Sequence, residues 1–397
     1  MKTLLPSIHS CEKSIFAHFA QNNFERSRRF SRGAYSPLHI KNFLEACNNP
    51  QYSYKTIHVA GTVGKGSTCV YLTRALIAMN FKTGTYLSPH FYSLRERFLK
   101  NEKPIAGSDL ELLWKNISRK KHFSHLSYFD ALTAMAFVWF AEIGIDYAVI
   151  ETGLGGQKDS TNNLDPEFCV ITTVGLDHQN ILGSTIAKIA AEKAGIIQSH
   201  KPIYTLNQHK NVLGVLKKIA NTRKAPLHII RAKGNDFLTR NQNFVLHIIR
   251  IYFNPSLKVM RSILKNSRRP IWGRYTIIQR NPTIIFDSAH NEDGIRALLD
   301  KLQITPQKRY RFYMNTMRER DLSLFVSLIQ KRLGNRVEIF LILSEDPLYH
   351  LADDVTGINP NNALRLTDLK KQLQLKNCVH VVTGSMGLYG ILKKIRF

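Results

Sequence analysis

Thr56-Ile57-His58-Val59-Ala60-Gly61-Thr62-Val63-Gly64-Lys65-Gly66-Ser67 changes character halfway along. The first five residues are β-branched or small around one histidine, a strand composition. Glycines then allow a tight turn in which successive N–H groups point to one place, and a helical pattern leaves from Ser67. Strand, Gly-rich turn with a lysine, and helix N-terminus together make a cradle for phosphate. In this reading Gly61, Thr62, Gly64, Lys65 and Gly66 hold a nucleoside triphosphate, with Lys65 reaching its β- and γ-phosphates. The Ser67 or Thr68 hydroxyl binds the phosphates or a metal. A Gly-rich turn with a chance lysine is the plain alternative, and the flanking strand and helix argue against it.

Outward from this turn, short β-rich runs alternate with helical patterns. The spacing predicts strands over 56–60, 147–151 and 170–174 and helices over 67–79, 128–143 and 186–194. That rhythm is one of βαβ units and a mainly parallel sheet. Residues 207–270 have mixed periodicity and resist assignment. A second alternation follows the turn-prone Asn266-Ser267-Arg268-Arg269-Pro270, with strands over 283–286, 309–313, 337–343 and 379–382 and a helix over 293–302. The expected fold class is therefore α/β: a P-loop-type, mainly parallel sheet domain over 1–268, then a smaller Rossmann-like α/β domain over 269–397.

Composition narrows the function classes. A length of 397 residues exceeds one ordinary domain, and 44% hydrophobic with 21% charged residues is globular. Five scattered cysteines without a CxxC pair fit a reducing cytosol better than a disulfide framework or zinc site. The N-terminal MKTLLPSIHSCEK is broken by Pro6, His9, Glu12 and Lys13 before a signal-peptide core forms, and the apolar run 131–141 is about half a bilayer span. A cytoplasmic protein without membrane insertion is expected. The net charge of +27 admits nucleic acid, polyanionic small substrates or compositional bias. It is uneven, since residues 201–270 hold 15 Lys and Arg against the single acid Asp236.

The phosphate turn is not the common spacing, because Gly66 separates Lys65 from the hydroxyl; Gly-Thr-x-Gly-Lys-Gly-Ser/Thr is typical of Mur-type amide ligases. Further segments follow in order: Leu87-Ser88-Pro89-His90, Arg95-Glu96-Arg97, Ser127-Tyr128-Phe129-Asp130, and Glu151-Thr152-Gly153-Leu154-Gly155-Gly156 running to Asp159-Ser160-Thr161-Asn162. Leu176-Asp177-His178, Glu192-Lys193-Ala194-Gly195-Ile196, Trp272-Gly273-Arg274-Tyr275, Asp287-Ser288-Ala289-His290-Asn291, Asp321 and Gly384-Ser385 complete the series. Over nearly its whole length the chain resembles the folylpolyglutamate synthase/dihydrofolate synthase family.

That resemblance implies an ATP-dependent ligase joining L-glutamate to the carboxylate of dihydropteroate or a reduced folate through an acyl phosphate. Magnesium, two ions, is implied on Ser88, Glu151 and His178. Imidazole on magnesium is unusual, and composition alone reads His178 as structural. Lys193 is implied as a lysine that becomes carbamylated; by spacing alone it is a solvated helix lysine. Lys65, Glu151, His178 and Lys193 form the implied catalytic set. Arg274, Asp287, His290 and Asn243 are implied ATP contacts, with ATP between two domains; for Arg274 and Asp287 a surface ion pair and a helix cap are the alternatives. Ser127, Tyr128, Phe129, Asp130, Asp159 and Ser160 are implied at the substrate, although Tyr128 and Phe129 are equally readable as core aromatics.

The chain departs from the family pattern at Val63 (usually Asn), Gln157 (commonly Arg), Asn180 (usually an acid) and Ser288 (small or apolar). None of these removes a metal or phosphate group, and they bear on substrate preference. Another Mur-type ligase is the second reading, weakened by the roughly 55 residues before the phosphate turn, too few for the additional domain of those enzymes. A nucleic-acid-binding P-loop ATPase is the third and weakest. The family is generally monomeric, so a monomer is expected.

Overall fold

In a computed structural model of the chain the described residues are 10–20, 38–302, 307–318, 320–344, 349–351, 355–385 and 387–394. The N-terminal stretch through His9, considered above as a leader, lies outside them. The chain divides into two compact units, Met1–Arg269 and Pro270–Phe397.

The first unit is built on eight strands: β1 Lys55–Ala60, β2 Thr83–Tyr86, β3 Phe98–Lys100, β4 Lys103–Pro104, β5 Tyr147–Glu151, β6 Phe168–Ile171, β7 Ile203–Leu206 and β8 Leu227–Ile230. Their order is β4-β3-β2-β5-β1-β6-β7-β8. All neighbours pair in parallel except β2–β3 and β3–β4. β2, β5, β6 and β7 are buried throughout, and β1 at every residue but Lys55, because helices cover both faces. One face packs on Leu132, Met135 and Phe137 of the helix Tyr128–Glu142, whose start is closed by a Ser127/Asp130 capping box. The other packs on Ile189, Ala190 and Leu216 of the helices Ile186–Ala194 and Lys210–Thr222.

β6 stops earlier than the alternation predicts. Beyond Ile171 the chain bends to run beside the phosphate turn, where Thr62 and Val63 N–H donate to Thr173 O at 2.8 and 3.2 Å. A Cβ on Gly61 would fall 1.9 Å from Thr172 Oγ1, so only glycine permits this approach. The basic stretch that resisted assignment folds into the helix Lys210–Thr222, β8, and the helices Phe237–Phe253 and Leu257–Ser267. The last two pack on the helix Lys65–Ala78 that leaves the phosphate turn.

The second unit carries β9 Thr276–Arg280, β10 Thr283–Phe286, β11 Arg309–Met314, β12 Val337–Ile342, β13 Ala363–Leu364 and β14 Cys378–Thr383, ordered β13-β12-β11-β14-β10-β9. Only β9–β10 is antiparallel. All five cysteines are free thiols. Among the described residues no helix is long and apolar enough to cross a membrane.

Candidate active site

β1 lies between β5 and β6 although β2 to β4 intervene in sequence on the far side of β5. Connections leaving β1 and β5 therefore run to opposite sides and open a crevice at the strands' carboxyl ends. Three segments enter it: the phosphate turn after β1, Glu151 at the end of β5, and 172–175 after β6.

The turn is pinned before any ligand arrives. Thr62 Oγ1 donates to Gly175 O at 3.1 Å and accepts from Gly175 N–H at 3.0 Å, which explains why this hydroxyl sits between two loops. Gly64 has φ +93°, and a Cβ there would meet Asn241 Nδ2 at 2.5 Å and Phe237 Cζ at 2.8 Å. Ser67 Oγ donates to Gly64 O at 3.1 Å and accepts from Asn241 Nδ2 at 3.0 Å. Thr68 Oγ1 is buried and has no hydrogen-bond partner.

Glu151 faces this turn. Its two carboxylate oxygens stand 3.7 Å from the place a Gly66 Cβ would take, and Oε2 accepts Ser88 N–H at 3.0 Å. A buried carboxylate beside Ser88 and the first-turn hydroxyls is an all-oxygen donor set, and the partnerless Thr68 hydroxyl is a polar atom that a hard cation or a phosphate would satisfy. Magnesium fits these residues. His178 adopts left-handed φ at +48° and precedes the short helix Gln179–Leu182, with Nε2 3.9 Å from Asp177 Oδ1. Among the described residues no group of three or more His, Cys, Asp or Glu side chains could hold a metal by itself.

Lys193 is no solvated helix lysine: it is 3% exposed. Its Nζ donates to Gly61 O at 2.8 Å, and Lys65 Nζ donates to the same oxygen at 3.2 Å. Burial first, and the Lys65 charge second, push its pKa down to about 7, against the pull of Asp177, Asp159 and Glu192. It is thus an amine that is partly neutral near physiological pH.

Asp130, Asp159 and Ser160 form a buried polar staple. Asp130 Oδ2 accepts Ser127 N–H at 2.9 Å, and Oδ1 accepts the Ser160 hydroxyl. Asp159 accepts Leu154 N–H at 2.8 Å on Oδ2 and Thr161 N–H at 3.0 Å on Oδ1. Burial raises the Asp159 pKa. His58 of β1 joins through Thr161 Oγ1, 2.8 Å from Nε2. Its Nδ1 has no partner and burial drives its pKa down to about 3, so it is a neutral core histidine. Phe129 lies on Gly153, where a Cβ would meet its Cζ at 2.4 Å, and Tyr128 stacks on Phe16 with centroids 5.6 Å apart.

The asparagines divide sharply. Asn243 Nδ2 donates to Lys233 O at 2.7 Å, whereas Asn241, fully buried, reaches the phosphate turn. The sequence reading named Asn243 and missed Asn241. A signal was present: Asn241, Phe244, Val245, Ile248 and Ile249 are the buried stripe of one helix, and their 3–4 spacing is legible in the sequence.

In the second unit Asp287 follows β10, and its two oxygens accept Tyr275 N–H at 2.7 Å and Ala289 N–H at 2.8 Å. Burial raises its pKa while Arg274 opposes the shift. His290 Nδ1 lies 2.8 Å from Ser288 O, and Ser288 Oγ donates to Gly273 O at 2.9 Å, so Arg274, Asp287 and His290 share one corner of that unit.

Residues 59–251 match the Mur ligase middle domain family. The chain is 30% identical over 307 residues to a folylpolyglutamate synthase of Lacticaseibacillus casei, covering 66% of this chain and 71% of that protein. It is 27% identical over 410 residues to the dihydrofolate synthase/folylpolyglutamate synthase of Bacillus subtilis (strain 168), covering 89% and 93%. A folylpolyglutamate synthase of Mycobacterium tuberculosis, solved in complex with ADP and AMPPCP, has the same fold at TM-score 0.82 and 23% identity, covering 96% of this chain and 98% of that one. At this identity and coverage, the chain belongs to the folylpolyglutamate/dihydrofolate synthase family.

Proposed function

We propose that this chain is an ATP-dependent ligase that forms an amide bond between L-glutamate and the carboxylate of dihydropteroate or a reduced folate. The observation that carries the reading is the meeting of a phosphate-binding turn and a strand-end carboxylate, Glu151, at one crevice. The relatives' activities supply the substrate class. The γ-phosphoryl group passes to the acid, giving an acyl phosphate and ADP; the glutamate amine then attacks the acyl carbon and phosphate leaves. Catalysis of the first step is positioning plus charge neutralisation.

In this mechanism the N–H groups at the start of the helix Lys65–Ala78 cradle the phosphates, and Lys65 turns from Gly61 O to the transferred group. Magnesium would be held by Glu151 with Ser88 and the first-turn hydroxyls, with His178 nearby by family pattern, and supplies neutralisation of phosphate charge. The partly neutral Lys193 amine adds carbon dioxide with loss of one proton, replacing a buried cation with an anion beside the turn. Phe129 and Tyr128 line the folate side.

Purified protein with ATP, magnesium and glutamate should release phosphate only when dihydropteroate or a reduced folate is added. Phosphate release that ignores both and is stimulated by RNA would refute the assignment. A panel of the two acceptors separates addition of the first glutamate from addition of later ones. Asn241→Ala removes the donor that orients Ser67 Oγ; steady-state kinetics should show KM for ATP raised about tenfold, the worth of one hydrogen bond of about 1.4 kcal/mol, with kcat less affected. An unchanged KM would remove Asn241 from the nucleotide site.

A further inference from the structure

Besides Lys65 and Lys193, a third cation stands beside the phosphate turn, and the mechanism above does not use it. Arg240 is half-buried on the helix Phe237–Phe253, between two groups that hold the turn in shape. On one side its guanidinium carbon is 5.5 Å from the centre of the Phe237 ring, whose Cζ stands 2.8 Å from where a Gly64 Cβ would be. On the other its Nη2 donates to Thr173 Oγ1 at 3.4 Å. Thr173 is the residue bridged to Val63, and its carbonyl accepts the Thr62 and Val63 N–H groups.

Nothing within the described fold neutralises this charge. A guanidinium is always protonated in a protein. Among the described residues no carboxylate forms an ion pair with Arg240, and the long bond to Thr173 is its guanidinium's only hydrogen bond. Asp236, the single acid of the basic stretch, lies one helical turn earlier, and its oxygens serve the helix start. Oδ1 accepts the Leu238 and Thr239 N–H groups at 2.8 and 3.0 Å, and Oδ2 accepts the Thr239 hydroxyl at 2.9 Å. A guanidinium over a ring keeps its in-plane N–H edge, and that edge matches two oxygens of a phosphate. The side chain of the turn nearest Thr173, Val63, is apolar and brings no polar group of its own.

We propose that Arg240 is a nucleotide-binding residue, whose guanidinium leaves Thr173 Oγ1 to pair with phosphate oxygens of the nucleotide seated on the turn. The inference rests on the reading of this crevice as an ATP site and adds to it a charge from outside the turn. Lys65 and Lys193 both start from Gly61 O, whereas Arg240 arrives from the helix that carries Asn241. Asn241 points about 100° away from its neighbour and orients Ser67 Oγ, so one helix supplies both an amide and a cation.

Calorimetric titration of the full chain with a non-hydrolysable ATP analogue and magnesium tests this. Arg240→Gln should bind the analogue about tenfold more weakly than wild type. Arg240→Lys keeps a charge without the planar fork and should lie between the two, about threefold weaker than wild type. Both variants should melt near the wild-type temperature, because the side chain is half-buried and its one bond is long. A wild type that binds no analogue would overturn the ATP site itself and this inference with it. Wild-type affinity in Arg240→Gln would overturn the role of Arg240 alone. A lysine variant no better than the glutamine variant would do the same, since the loss would then not be one of charge.

Discussion

Glu151→Gln is expected to lower folate-dependent turnover about 10²–10³-fold, the usual effect of removing one group that stabilises charge in a transition state. The substitution keeps the shape and an acceptor for Ser88 N–H, so that half-buried donor stays satisfied and the melting temperature should remain near wild type. What it removes is the negative charge facing Gly66, and with it the carboxylate proposed above as the hard-cation ligand of the crevice. Raising the magnesium concentration should recover part of the rate, because weakened metal affinity is compensated by mass action. Glu151→Ala should be worse on both counts: turnover falls at least as far, and the half-buried Ser88 N–H loses its acceptor, at about 1 kcal/mol. Wild-type rates in the glutamine variant, measured as phosphate release, would separate Glu151 from the chemistry.

The second large effect sets stability against activity. Lys193 has a pKa lowered from 10.5 to about 7 in the folded protein. Below about pH 7 it is protonated whether folded or not, and the cost of burying the ammonium is fully present. As pH rises from about 7 toward 10.5 the folded chain releases the proton first, so that cost fades and stability increases. Lys193→Met removes the cost altogether. Its melting temperature should exceed wild type near pH 6–7, and the gain should shrink toward pH 10. Turnover should fall about 10²–10³-fold, since the variant has neither the amine nor the carbamate proposed to form on it. Stripping carbon dioxide from the buffer should slow the wild type, bicarbonate should restore it, and the methionine variant should respond to neither. A methionine variant as active as wild type would leave Lys193 a structural tether of Gly61 O.

These expectations differ in how visible they were before folding. The phosphate turn is contiguous: strand, glycines, lysine and helix follow within a dozen residues, and local conformational preference suffices to read them. The same holds for Glu151, at the end of an uninterrupted apolar strand and before a Gly-rich run. Lys193 carried no such local mark. Its character comes from lying against Gly61, 132 positions away in sequence, with Lys65 as its electrostatic neighbour. Asp130 and Asp159 were equally opaque: Glu, Asp and Ser near a glycine run suggest a ligand, and only packing reveals that their oxygens hold loop N–H groups and hydroxyls.

The amide-rich run Arg240-Asn241-Gln242-Asn243 shows the limit most clearly. Neighbouring helical residues point about 100° apart, so a two-residue difference separates a side chain on the nucleotide turn from one turned toward Lys233. Alternation and the glycine turn already specified a parallel α/β sheet with a phosphate cradle, because those features arise from backbone sterics and apolar periodicity over short spans. Which lysine is desolvated, which asparagine meets Ser67, and which loop N–H groups Asp130 and Asp159 hold were settled by distant segments packing together, since desolvation and hydrogen bonding depend on neighbours that the linear order does not supply.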